Sequence, residues 1–140
     1  MAFTGNAFCT SAKVGFLTGT YAPTTDTMKI ALYTNSATLD ATTTVYTTSG
    51  EVVGTGYTAG GNTLTGNAIS YSGTTAWITF SDSAWTTATI TARGALIYDS
   101  SKSNAAIAVL DFGADKTSTA GTFTVQMPTA AASTALIRIA

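Results

Sequence analysis

The sequence predicts an all-β fold, a jelly-roll-like β-sandwich with a short N-terminal helix. Three observations carry that prediction. Threonine, whose branched side chain suits a pleated surface, fills roughly a fifth of the positions. Apolar and polar residues alternate with the period of two expected of half-buried strands. Clusters of Gly, Ser, Asn and Asp then punctuate these short runs. The 140 residues show no internal repeat and no shift in composition. Residues 1–140 therefore read as a single β-sandwich domain, of which 1–20 form an arm and the helix.

The helix comes first. Asn6 is placed to cap it, and Phe8, Ala12 and Phe16 recur at i, i+4 and i+8, which puts them on one face. Gly19 stops it, and Pro23 forbids a nearby restart. Such a stripe either packs the helix on its own sheet or docks it on a partner.

From Met28 the texture is β. Ile30, Leu32 and Thr34 alternate with Lys29, Ala31 and Tyr33, which predicts a half-buried strand. Residues 77–80 predict another. The stretch 89–98 is a strand broken by Gly94, where a bulge or a bend is expected. Residues 106–112 are almost continuously apolar and predict a central strand. Phe123, Val125 and Met127 alternate with Thr122, Thr124 and Gln126 until Pro128, which cannot donate to a ladder. Residues 136–139 supply the last strand. Turns are expected at 49–50, 60–62, 72–73, 99–104 and 113–121.

Charge is scarce. Six Lys and Arg and seven Asp and Glu make 9% of the chain, with a net charge of −1 and no histidine. An ordinary soluble domain carries about 25%. The cations are scattered from Lys13 to Arg138 without the cluster that phosphate neutralisation needs, so no nucleic-acid partner is expected. No apolar run approaches the roughly 20 residues of a membrane helix, and no membrane partner is expected. The first residues lack the basic-then-apolar order of a secretory signal, so export by a signal-dependent route is not expected, and the lone cysteine points to synthesis in the cytoplasm. Cys9 is the only cysteine. It has no intramolecular partner and reads as a small buried apolar residue.

Motifs with chemistry are few. Gly54-Thr55-Gly56-Tyr57-Thr58-Ala59 fits a dinucleotide-binding pattern, but Gly60, Gly61 and Asn62 follow where a helix would have to begin. It reads as a turn. Asp111-Phe112-Gly113 spells a kinase tripeptide without the rest of the kinase set. Asp111 with Asp115, or Asp82 with Asp99, are conceivable carboxylate pairs, yet acids beside Gly, Ser and Asn are ordinary turn formers. The acidic loop 111–116 brings two carboxylates where calcium wants six or more oxygens. Without histidine there is no ordinary triad. The expectation is a non-enzyme with no catalytic residue, no cofactor and no metal.

Aromatics are better candidates for contact, because they bring area at little entropic cost. Trp77, inside a strand, reads as core. Trp85, flanked by small polar residues, suits core or interface equally, and Tyr57 in its glycine-rich loop leans to interface. A β protein with so few lysines and prolines defends its sheet edges poorly. Its surface is expected to be covered by copies of itself or by a partner, through apolar patches, hydroxyls and backbone pairing.

The segments Met1-Ala2-Phe3-Thr4-Gly5-Asn6-Ala7-Phe8-Cys9, Lys29-Ile30-Ala31-Leu32-Tyr33-Thr34, Gly54 to Asn62, Ala92-Arg93-Gly94-Ala95-Leu96-Ile97-Tyr98 and Val109-Leu110-Asp111-Phe112-Gly113 carry a resemblance. Over essentially its whole length the chain resembles small virion proteins of tailed phages, most closely the capsid cement (decoration) type of a Bordetella-infecting podophage. The resemblance implies a jelly roll on the outer surface of an expanded capsid, bound to the major capsid protein. It also implies a homo-oligomer, a dimer more than a trimer, and brings no catalytic residues. Phe3 as an apolar anchor in the arm 1–5, with Phe8, Tyr57 and Trp85, are the candidate capsid or self-interface residues. Two other classes share parts of this profile: a tail or fibre component, and a carbohydrate-binding module using Trp85 and Tyr57.

Overall fold

The computed structural model describes residues 3–140. Its elements in chain order are β1 (Ala7–Phe8), α1 (Thr10–Leu17), β2 (Met28–Tyr33), β3 (Asn62–Thr63), β4 (Ala68–Ser72), β5 (Thr75–Thr79), β6 (Ser83–Asp99), β7 (Ala105–Val125) and β8 (Ile137–Ile139). Two antiparallel sheets hold the strands, one ordered β1-β7-β6-β2-β3 and the other β4-β5-β8. The fold is thus an all-β sandwich with one short helix.

The large sheet is organised by β6 and β7, two long strands joined by the turn at 100–104. In their inner half both are flanked, β6 by β2 and β7 by β1. Ala95, Leu96, Ile97, Ile107 and Val109 are fully buried there. The outer half alternates instead, with Trp85, Ala88, Ile90 and Ala92 turned inward between exposed threonines. Residues 113–121, expected to be a turn, are part of β7. The register explains why. Between Ala92↔Lys116 and Gly94↔Asp111, β6 spends only Arg93 where β7 spends Phe112 to Asp115. Gly113 and Ala120 take positive φ as bulge residues rather than as chain reversals.

Gly94 sits at this irregularity. A Cβ on it would lie 2.4 Å from the Leu110 carbonyl and 2.4 Å from the Phe3 ring. The glycine therefore marks a close approach within the sheet, and Phe3 packs into the space it leaves.

Strand β2 is buried on both faces apart from a half-covered Lys29. The expected half-buried strand is corrected to a central one, since β6 and β3 flank it and neighbouring segments cover both sides. The helix starts later than predicted. Ala7 and Phe8 are extended because they pair with Val109 and Ala108, so Cys9 occupies the cap position and offers no side-chain bond. Asn6 does not cap; its Oδ1 accepts the Asp111 amide at 2.7 Å and ties β1 to β7. Ala12 and Gly15 form the buried face of α1, with the Tyr21 ring lying against Gly15. The chain leaves the helix at Thr18 and Gly19, the latter at φ 76°.

Candidate functional site

Three places gather side chains that a globular core does not require: a hub on Glu51, a carboxyl pair, and an apolar groove. The glycine-rich loop forms the first. It makes no helix, and Thr55 bridges to Thr89 of β6. A Cβ on Gly61 would sit 1.8 Å from the Ile30 carbonyl, so the loop lies directly on β2 only because that position is glycine. Tyr57 consequently points into the protein. Its hydroxyl donates to Glu51 Oε1 at 2.7 Å and accepts the Leu32 amide at 2.9 Å. Tyr46 donates to Glu51 Oε2 at 2.6 Å, and the Gly60 amide donates to Oε1 at 2.7 Å. Tyr98 stacks on Tyr46 at 4.7 Å and donates to the Gly60 carbonyl. Burial first, then the bond to Glu51, pushes the Tyr57 and Tyr46 hydroxyls well above the ordinary phenol range. They remain protonated donors. The hub ties the 45–62 segment to β2 and β6.

The carboxylate pairings considered from sequence do not form. Asp111 bonds Arg93 Nε at 3.1 Å, while Asp115 is met by Asn35. The Gly113 amide, then Arg93, holds Asp111 below the usual carboxylate range. Asp82 accepts the Met127 amide at 2.7 Å. Asp99 instead has Asp26 brought beside it, because Thr27 is bonded to Ser100 and Ser101, a neighbour that nothing in the spacing announced. Among the described residues no three His, Cys, Asp or Glu side chains gather as metal ligands. Among the described residues no helix is long and apolar enough to cross a membrane. Cys9 is fully buried, and burial followed by the Asp40 charge pushes its thiol up to about 11. Such a thiol is inert at neutral pH.

The groove is the feature of the surface that suits contact. Phe8, Phe16 and Tyr21 form one wall, with successive edge-to-face ring spacings of 5.8 and 5.3 Å. The other wall is the small sheet, where Ile69, Ile78 and Ile137 stand opposite one another across β4, β5 and β8. Ile78 and Ile137 reach the core, while Ile69 and Ile139 remain more than half exposed. The space between the walls is about 250 Å³. It continues past Phe8 to an end formed by Leu17, 87% exposed, with Lys13 and Arg138. Lys13 Nζ lies 5.9 Å above the Phe8 ring. Among the described residues no carboxylate lines either part.

Of the four residues singled out from sequence, Phe8 alone belongs to this surface. Phe3 is 1% exposed and Trp85 4%, so both are corrected to core. Phe3 is drawn in by its bridge to Leu39 and the gap above Gly94. Trp85 sits on the inward row of β6 between the Tyr57 and Phe123 rings. Tyr57 is half-buried with its hydroxyl committed to Glu51. Met1 and Ala2 of the arm lie outside the described residues. Sequence reasoning missed Tyr21, Ile69 and Ile139, although Ile69 carried the signal of an apolar position in an otherwise polar, strand-like segment.

Compared with protein-family models, with curated proteins and with solved structures, the chain matches none.

Proposed function

We propose that this chain is a structural, non-catalytic virion protein that binds the outer surface of a phage capsid and cements neighbouring major capsid subunits. The groove between α1 and the small sheet carries the reading. It presents exposed apolar side chains in a chain with few charges to steer a partner, as a surface made to be covered does. The cations at its end favour an apolar segment of the capsid protein that bears a carboxylate. The resemblance to tailed-phage cement proteins supplies the partner.

Stapling is then multivalent. Each copy, acting as a homo-oligomer and a dimer more than a trimer, binds modestly, and linked contacts multiply into strong retention. Because the assembled lattice is bound and its dissociated subunits are not, the shell gains stability by mass action. Contact through apolar groups tolerates salt. The carbohydrate-binding reading loses its platform, since Trp85 is buried and the Tyr57 hydroxyl is occupied.

Quantitative mass spectrometry of purified particles tests the role. About one copy per major capsid subunit supports cement, and a few copies per particle moves the chain to the tail or fibre. Leu17→Asp and Ile139→Asp test the surface. Both side chains are largely exposed, so folding should survive while capsid binding falls at least about tenfold. Unchanged binding by both variants would remove the groove from the interface.

A further inference from the structure

Asp99 ends β6 with its side chain fully buried. Its Oδ1 accepts the Ser101 amide at 2.9 Å, but Oδ2 meets no donor. The loop that leads into β2 is bonded to the β6–β7 turn, Thr27 N to Ser101 Oγ and Ser100 N to the Thr27 carbonyl, and brings a second carboxyl, Asp26, beside Asp99. Asp26 is itself held in place. Its Oδ2 accepts the Ala22 amide at 2.8 Å, and its Oδ1 lies 4.0 Å from Lys102 Nζ. Asp26 and Lys102 are the charged groups that face Asp99, one from that loop and the other from the β6–β7 turn.

Two ionised carboxylates side by side, one of them buried, repel each other. One proton between them replaces the repulsion with a hydrogen bond and gives Oδ2 its missing partner. We propose that Asp26 and Asp99 share a single proton and form a latch that fastens the 22–27 loop to the β6–β7 turn. Neighbouring bonds show the two segments already in register. Thr27 N donates to Ser101 Oγ at 2.8 Å, and Ser100 N and Oγ both donate to the Thr27 carbonyl at 2.9 Å. A calcium ion would need six or more oxygens, and Lys102 already supplies positive charge, so a proton suits the site better. The latched loop carries Ala22 and Pro23 into the groove wall, which links the protonation state to the shape of that surface.

Burial first, then the hydrogen bond and charge of Asp26, pushes Asp99 from its ordinary 3.8 up to about 6. That is a roughly hundredfold tighter hold on the proton. Burial alone would raise Asp26 as well, but the Ala22 amide, the Asp99 hydrogen bond and Lys102 outweigh it and lower that carboxyl. The raised group contributes stability in full below 3.8 and loses it as pH rises through about 6. The lowered group contributes above its ordinary value and loses it as pH falls. The latch is therefore strongest near pH 4 and undone by about pH 7. The chain has no histidine to obscure this window.

Thermal unfolding of the full chain from pH 4.5 to 7.5, at fixed ionic strength, tests the latch. Wild type should lose about 5 °C of Tm across that range. Asp99→Asn, whose amide donates to Asp26 at any pH, should flatten the profile and match or exceed wild type at pH 7.5. An equal slope in Asp99→Asn would overturn the proposal. So would a rise in wild-type Tm with calcium chloride at pH 7.5 that Asp99→Asn lacks, since it would make the site a cation site. Should the variant not fold, carboxyl carbon-13 titration of wild type decides. One carboxyl titrating near pH 6 supports the latch, and none above pH 5 refutes it.

Discussion

Glu51 and Asp99 are both buried carboxyls, and the protein accommodates them in opposite ways. Glu51 is surrounded by donors, two tyrosine hydroxyls and the Gly60 amide, all within 2.7 Å. Asp99 has one amide donor and a second acid for a neighbour. A carboxyl buried among fixed donors makes a permanent tie. One buried against another acid makes a tie that depends on a proton. The difference lies in the neighbours, since the two residues are alike in chemistry and in burial.

The largest test removes each group in turn. At pH 7.5, Glu51→Ala strands two hydroxyls and an amide and should cost about 3 kcal/mol in urea unfolding. Asp99→Ala at the same pH relieves a repulsion and should cost less than about 1 kcal/mol. If Asp99→Ala proves the more damaging, the comparison is broken. Tyr57→Phe is intermediate. It takes a donor from Glu51 and an acceptor from the Leu32 amide, for a loss of about 1.5 kcal/mol by the same measurement. Lys102→Met should be smallest, within about 0.5 kcal/mol at pH 5, because that ion pair is long and half open to water. It should nonetheless move the midpoint of the pH–stability profile upward, since losing a cation beside Asp26 favours the protonated pair.

The fold class was legible because threonine content, alternation and turn clusters all pointed the same way, and the strands at 28–33, 75–79 and 137–139 stand where they were expected. What was hidden depended on neighbours far along the chain. Residues 113–121 carry two glycines and several hydroxyl side chains, equally at home in a turn or a bulged strand, and only their pairing with β6 decides between these. Asn6 looked like a cap, yet the claim of β7 on Ala7 and Phe8 delayed the helix. Phe3 looked like a free anchor because nothing nearby in sequence announces the space above Gly94. The site was half legible. The spacing of Phe8 and Phe16 marked one wall, whereas the other is assembled from the β4–β5 hairpin and β8, a strand about sixty residues further on. Glu51, the only glutamate, stood directly before Val52 and Val53, a faint sign of burial that no local pattern could connect to Tyr46, Tyr57 and Gly60.

The β6–β7 ribbon also bears on how the chain reaches this state. Its two strands are consecutive and closed by a short turn, so residues 83–125 can zip together from local contacts, which form fast. Strand β2 is made long before its partner β6 and must wait through some fifty residues of synthesis for the edge it will join. Until β3 and then β6 emerge, Met28 to Tyr33 is an apolar strand with unpaired edges, the state in which β proteins stray into intermolecular pairing. A stretch buried on both faces in the finished fold thus passes, on the ribosome, through a period with its edges bare.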